Sequence, residues 1–75
     1  MKYDHKLDTC GLTCPEPLMM VRNKVREMQS GERVLILATD PSTHRDFLNY
    51  CRFLGHSLEH AETGNEILEY VICKG

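Results

Sequence analysis

The chain has 75 residues with 9 basic and 11 acidic side chains, which gives a formal net charge of −2. This length fits one domain, residues 1–75. The core of so small a domain is too thin for a deep enzyme pocket, so we expect any chemistry to take place at the surface. The chain also lacks the dominant basic stripe of a nucleic-acid-binding protein and an apolar run long enough to span a membrane.

The first part of the chain predicts a strand, a turn and a helix. Residues 4–9 form a short strand candidate that ends at a Cys-Gly pair. Pro15 fits the first turn of a helix, where its missing N–H costs nothing, and the helix is expected to end near Gln29. Apolar residues at spacings of three and four form one face of this helix. They are Leu18, Val21, Val25 and Met28.

The middle of the chain predicts a buried strand followed by a second helix. Residues 34–38 are a continuous apolar run, which indicates a strand that is covered on both faces or central in the sheet. Asp40 and Pro41 fit the N-cap and first position of a helix, and Thr43 with Asp46 offers an alternative capping box. The apolar face of this helix is predicted to hold Phe47, Tyr50, Cys51 and Leu54.

The last part of the chain predicts a β-hairpin. Residues 57–62 alternate loosely, residues 63–65 fit a turn, and residues 67–73 form the final strand. Right-handed crossovers in a β-α-β-α-β-β order place both helices on one face of the sheet. We therefore predict an α/β two-layer sandwich with a mixed four-stranded sheet, whose strand order the pattern leaves open.

Cys14 is the residue whose position most strongly suggests chemistry. It precedes Pro15 at a predicted helix N-terminus, where partial positive charge should lower the thiol pKa, unless Glu16 lies close to it. Pro15 and Pro17 stiffen the turn. If the first two strands are parallel, residues 40–44 lie beside the thiol. A rigid, exposed thiol of this kind suits persulfide exchange, which needs no metal or cofactor.

The outward flank of the first helix predicts a partner surface. Met19, Arg22 and Arg26 fall on one exposed stripe near the thiol, and Met20 also points away from the predicted core. Methionine and arginine are both favoured where proteins meet. An ordinary solvated flank is the alternative interpretation.

The cysteine usage indicates a reduced, cytoplasmic protein. The first residues, MKYDHKLD, lack the apolar region of an export signal. In the cytoplasm cysteines stay reduced, so a catalytic or metal-binding role is favoured over a disulfide framework. Cys51 lies on an apolar helix face and Cys73 lies in the last strand, so both are expected to be structural.

Three segments together resemble a known family. They are Leu7-Asp8-Thr9-x-Gly11-Leu12-x-Cys14-Pro15-Glu16-Pro17-x-Met19-Met20-Val21-Arg22, then Asp40-Pro41-x-Thr43-x-Arg45-Asp46, and finally Ile72-x-Lys74-Gly75. With its Cys-Pro-x-Pro element, the chain resembles the TusA family of sulfur carriers over nearly its whole length. The Glu-Pro-x-Met-Met-Val-Arg extension resembles the branch that serves tRNA thiolation.

The resemblance implies a function and a set of partners. Cys14 would accept a persulfide sulfur from a cysteine desulfurase and pass it to a downstream relay protein for 2-thiouridine synthesis at the tRNA wobble position. The chain would act as a carrier with a covalent persulfide intermediate and without a cofactor, and we expect a monomer with no stable nucleic-acid or membrane binding. The family also supplies sulfur for the molybdenum cofactor and for sulfur oxidation. The implied partner surface is Met19, Met20, Arg22, Arg26 and Asp40.

Other interpretations stay open. Cys10 stands where this branch usually has an aliphatic residue, so it is either an accessory thiol that captures a modified Cys14 or a small apolar residue. A zinc site from Cys10, Cys14, His5 and His44 lacks the second ligand pair of a structural site, so no metal is expected. A non-covalent regulatory or RNA-associating module is the alternative function from another class.

Overall fold

The structure is a computed structural model that describes residues 2–75. Within this range the predicted α/β sandwich is confirmed, with a mixed four-stranded sheet that carries two helices on one face. None of the helices in the described range is long and apolar enough to cross a bilayer. The elements are β1 (His5–Asp8), α1 (Glu16–Glu27), β2 (Arg33–Ala38), α2 (Thr43–Leu54), β3 (Ser57–Glu62) and β4 (Leu68–Cys73).

The strand order is β1-β2-β4-β3 across the part of the chain that the structure describes. β1 runs parallel to β2, and the β3-β4 hairpin joins the sheet through an antiparallel β2-β4 pair. β4 is central because it is apolar towards both faces: Tyr70 and Ile72 point to the helices, and Val71 is buried on the other face. The polar strand β3 takes the edge, where a bulge between Leu58 and His60 interrupts its pairing.

The core lies between the two helices and one face of the sheet. Alternate residues of β2 point into it, whereas Leu35 and Leu37 point the other way and are half-buried. The prediction of a central β2 is therefore confirmed, although the helices cover only one of its faces. The buried cluster consists of Val21, Val25, Met28, Val34, Ile36, Ala38, Phe47, Cys51, Leu68, Tyr70 and Ile72.

The limits of α1 differ slightly from the sequence prediction. Pro15 precedes the helix as its N-cap residue, and Pro17 lies in its first turn. The helix ends at Glu27 rather than near Gln29, because the Gln29 N–H donates a 2.8 Å hydrogen bond to the Glu32 carboxylate. This bond begins the turn that leads into β2.

The start of α2 is also corrected by the structure. The helix begins at Thr43 with Ser42 as N-cap residue, so Asp40 is not the N-cap and Pro41 is not the first helical residue. The Asp40 carboxylate instead accepts the Ser42 N–H at 2.9 Å, which adds a turn before the helix. The alternative capping box with Asp46 is wrong as well, because the Thr43 hydroxyl donates to the Asp40 carbonyl at 2.7 Å.

Candidate functional site

Cys14 lies in the turn that precedes α1, at the carboxyl edge of the two parallel strands. Because β1 and β2 are parallel, the loops that follow them meet at this edge of the sheet. The Cys14 side chain is exposed, and the peptide bond between Cys14 and Pro15 is cis. The thiol is therefore reachable from solvent.

Asp40 connects the thiol-bearing loop to the loop after β2. The Cys14 backbone N–H donates a 2.8 Å hydrogen bond to Asp40 Oδ2. Asp40 Oδ1 accepts two further hydrogen bonds of 2.9 Å, from the backbone N–H and the hydroxyl of Ser42. The N–H groups of Ser42 and Cys14 lower the pKa of Asp40, so this carboxyl group is ionised at neutral pH. Cys14 thus lies beside Asp40, as the parallel arrangement predicts.

The same two loops are joined at further points. The Thr9 backbone N–H and hydroxyl both donate to the Leu37 carbonyl, at 2.8 and 2.6 Å. The Gly11 N–H donates to the Thr39 hydroxyl at 2.9 Å. These hydrogen bonds hold the turn before Cys14 against β2 and the residue that follows it.

The ionisation of Cys14 is opposite to the sequence prediction. Polar interaction with the Asp46 side chain, then burial, and then the charges of Asp46 and Asp40 raise the pKa of Cys14, while Arg45 lowers it. The predicted fall in pKa is therefore wrong for the free protein. Nearby carboxylates disfavour the thiolate, because like charges repel.

The N-terminus of α1 has few donors to offer a thiolate. Pro15 and Pro17 have no N–H group, and the Glu16 N–H donates to the Thr13 carbonyl at 2.9 Å. The prolines that stiffen the turn thus also remove the groups that would stabilise negative charge on Cys14.

The predicted partner residues separate into two groups. Met19, Arg22 and Arg26 line one shallow surface of α1, with Met19 exposed to 53%. Met20 is half-buried on the other flank of the helix, in a depression that Leu7 also lines. The exposed stripe of α1 therefore consists of Met19, Arg22 and Arg26, and the partner roles of all these residues stay predictions.

A hollow beside this stripe contains residues that the sequence analysis missed. It has a volume of about 340 Å³ and lies between α1 and α2. Phe53 is 90% exposed, and Leu54, predicted to lie on the apolar face of α2, is 58% exposed in the last turn of the helix. Phe53 lies off the apolar face of α2, and an aromatic residue in such a position is the signal that could have identified it. The hollow is lined by Leu18, Arg22, Asp46, Asn49, Tyr50, Phe53 and Leu54.

The remaining thiols are less accessible than Cys14. Cys51 is 2% exposed, and burial raises its pKa to about 11. Cys10 and Cys73 are half-buried, and the pKa of Cys10 is raised by burial and then by its hydrogen bond with Asp8. All of these cysteines are free thiols.

The residues considered for a zinc site do not come together. His5 Nε2 lies 3.1 Å from Glu32 Oε1. His5 is the first residue of β1, so it lies at the opposite end of that strand from the loop that carries Cys14. His44 is exposed, with its ring 6.2 Å from that of Tyr70. Within residues 2–75, no three histidine, cysteine, aspartate or glutamate side chains are placed to hold a metal ion.

Comparisons with known proteins agree on one family and one fold. The sequence model of the family described as Sulfurtransferase TusA matches residues 5–74. The crystal structure of a SirA-like protein from Desulfitobacterium hafniense superposes with a TM-score of 0.83 and 22% sequence identity. This match covers 96% of the present chain and 99% of the other chain, and it supports the α/β fold described above.

Proposed function

The chain belongs to the TusA sulfurtransferase family of sulfur carriers, and from this premise we propose that Cys14 is its sulfur-carrying residue. The donor is a cysteine desulfurase, and the acceptor is a downstream relay protein that serves 2-thiouridine synthesis at the tRNA wobble position. The observation that carries the proposal is an exposed cysteine at the carboxyl edge of the sheet, with its backbone held by Asp40.

The transfer is a thiol–persulfide exchange. The Cys14 sulfur attacks the outer sulfur of a persulfide on the donor, and a new S–S bond forms while the S–S bond of the donor breaks. The donor cysteine leaves as a thiolate and takes up a proton, and the proton of Cys14 is released. The reactants are one thiol and one persulfide, and so are the products, so the step needs no oxidant or reductant. A thiolate on the acceptor repeats the exchange and returns Cys14 to a thiol.

The surface around Cys14 suits successive protein partners. The exposed stripe of α1, formed by Met19, Arg22 and Arg26, offers adaptable and charged side chains next to the hollow. We include Met20 and Asp40 in this partner surface on the family resemblance. A monomer fits the role because two partners must reach the same thiol in turn, and a cytoplasmic location would keep that thiol reduced.

Sulfur loading tests the assignment of Cys14. The purified protein is incubated with a cysteine desulfurase and cysteine, and its intact mass is measured under non-reducing conditions. We expect the wild type and a Cys10→Ser variant to gain the mass of one sulfur atom. A Cys14→Ser variant should gain none, and full loading of that variant would remove Cys14 from the proposal.

The tRNA route needs a separate measurement. A reconstituted relay that contains the loaded protein should yield tRNA with a 2-thiouridine at the wobble position. If Cys14 loads but no thiolated tRNA forms, the carrier role stands and the route is a different one. Sulfur supply for the molybdenum cofactor or for sulfur oxidation would then be tested with the same loaded protein.

A further inference from the structure

A buried tyrosine lies at the inner end of the hydrogen bonds that reach Cys14. Tyr70, in β4, is fully buried, and its hydroxyl lies 2.9 Å from the Thr43 hydroxyl. Thr43 begins α2 and is 1% exposed. Its hydroxyl donates to the Asp40 carbonyl at 2.7 Å, and the Asp40 carboxylate accepts the Cys14 N–H at 2.8 Å. Three hydrogen bonds thus connect the core to the loop that carries the thiol.

The directions of these hydrogen bonds follow from the groups involved. A hydroxyl group has one proton, and that of Thr43 is used because the Asp40 carbonyl can only accept. The Tyr70 hydroxyl must therefore donate to the Thr43 oxygen. Burial raises the pKa of Tyr70, so this hydroxyl keeps its proton at neutral pH. Both bonds run from the core towards Asp40, and hydrogen bonds arranged in this way strengthen one another.

Asp40 has little freedom to move within this arrangement. Its carbonyl accepts both the N–H of Thr43, at 3.1 Å, and the Thr43 hydroxyl. Its carboxylate accepts the N–H and the hydroxyl of Ser42, each at 2.9 Å, as well as the Cys14 N–H. Thr43 is the buried member of this set of partners, whereas Ser42 is half-buried and Cys14 is exposed. The Thr43 side chain therefore ties Asp40 to the core.

Building on the sulfur-carrier proposal, we propose that Thr43 and Tyr70 are positioning residues for sulfur transfer by Cys14. Both side chains are buried, so a partner protein does not touch them. They act through Asp40, which holds the backbone from which the thiol projects. The attacking sulfur must line up with the S–S bond of the partner, and a misplaced reacting atom slows such a step. The two hydroxyl groups therefore contribute to the rate of transfer and not to docking.

The kinetics of sulfur loading test this role with three variants. Thr43→Val keeps the shape of the side chain but removes its hydroxyl, Thr43→Ser keeps the hydroxyl, and Tyr70→Phe removes only the inner hydroxyl. Each protein is loaded from a cysteine desulfurase at a temperature where it is fully folded, and the maximal rate and the KM are measured. We expect Thr43→Val to lower the maximal rate roughly 10-fold and Tyr70→Phe roughly 3-fold, with the KM unchanged. Thr43→Ser should load at about the wild-type rate.

Two controls separate positioning from a loss of stability and from a change in the thiol itself. Ile72→Val shortens another buried side chain of β4 without removing a hydrogen bond, so it should lower the stability and leave the maximal loading rate unchanged. Iodoacetamide is a small reagent that needs no defined orientation of the thiol. It should therefore alkylate Cys14 at a similar rate in the wild type and in every variant.

Wild-type maximal rates in both Thr43→Val and Tyr70→Phe would overturn the proposal. So would an equal loss in Ile72→Val, which would indicate a general effect of stability, or a fall in alkylation that parallels the fall in loading. If Thr43→Val does not fold, Tyr70→Phe keeps the test valid, because phenylalanine retains the buried ring. Failure of the carrier role appears instead as full loading of Cys14→Ser, so the two failures are distinguishable.

Discussion

The Cys14 backbone N–H donates a 2.8 Å hydrogen bond to Asp40 Oδ2 and so joins the thiol-bearing loop to the loop that follows the neighbouring strand. Asp40 is itself held in place, because its carboxylate accepts two hydrogen bonds from Ser42 and its carbonyl accepts the Thr43 hydroxyl. The Thr43 oxygen also lies 2.9 Å from the hydroxyl of the buried Tyr70. A continuous chain of hydrogen bonds therefore links the core of the sheet to the position of the thiol.

The role of Asp40 as an anchor is tested by amide hydrogen exchange. Asp40→Ala removes the acceptor of the Cys14 N–H, so this amide should exchange faster with solvent, as measured by NMR. Asp8→Ala is a matched control, because Asp8 accepts the Cys10 N–H at 2.9 Å on the same edge of the sheet. We expect the control to affect the Cys10 amide and not that of Cys14. Unchanged protection of Cys14 in Asp40→Ala would refute the anchor.

Acid should destabilise the protein through its hydrogen-bonded carboxylates. Backbone N–H groups lower the pKa values of Asp8, Glu32 and Asp40 in the folded state. Such groups contribute stability above their unfolded pKa values, and this contribution is lost as the pH falls through the lower folded values. The free energy of unfolding should therefore decline as the pH falls below the ordinary values of 4.5 for glutamate and 3.8 for aspartate.

Urea unfolding at neutral pH and at several acidic pH values measures this decline. Glu32→Gln should make it shallower, because one of the three groups no longer titrates. If the variant and the wild type lose stability along the same curve, Glu32 does not contribute to the acid sensitivity.

The two phenylalanines of α2 should respond differently to the same substitution. Phe47 is fully buried and packs edge-to-face on Tyr70, with ring centroids 4.9 Å apart. Phe47→Leu should lower the free energy of unfolding by about 1–2 kcal/mol through lost packing and the lost aromatic pair. Phe53→Leu, at a residue that is 90% exposed, should stay within about ±0.5 kcal/mol. Equal effects in denaturant titrations would show that the burial of Phe47 has no energetic consequence.

The exposed stripe of α1 should affect partner binding without affecting the fold. The double variant Arg22→Glu with Arg26→Glu should bind a cysteine desulfurase roughly tenfold more weakly, because complementary charges guide association. Lys6→Glu is the control, since Lys6 lies on the sheet face that the helices leave open. Titration calorimetry measures affinity, and thermal unfolding should show little change. Equal affinities for both variants would exclude the stripe from the interface.

Native thiol labelling should follow the exposure of the cysteines. Cys14 is exposed, whereas Cys51 is 2% exposed and burial raises its pKa to about 11. An excess of iodoacetamide at mildly alkaline pH should label Cys14 first and should reach Cys51 only after denaturation. Peptide mass spectrometry identifies the labelled residues. Early labelling of Cys51 in the native protein would contradict the described core.

The order of elements and the site of the thiol were accessible from local sequence features. The spacing of Val21 and Val25 predicts a helix face, and the run at residues 34–38 predicts a central strand, because each pattern depends only on the periodicity of its own element. The Cys-Pro-x-Pro element placed Cys14 before a helix in the same way. The predicted helix limits differ from the observed ones where a carboxylate, that of Glu32 or Asp40, accepts a hydrogen bond from a backbone N–H and a turn forms.

The central place of β4 and the direction of the Cys14 pKa shift were decided only by the tertiary structure. β4 lies between β2 and β3, where Val71 and Tyr70 are buried on opposite faces of the sheet. The periodicity of β4 predicts that it is buried but does not identify the strands that lie beside it. Asp40 reaches the backbone of Cys14 only because parallel pairing of β1 with β2 brings two distant loops to the same end of the sheet. Charges act through space rather than along the chain, so a helix terminus read in isolation predicts the wrong direction for the thiol pKa.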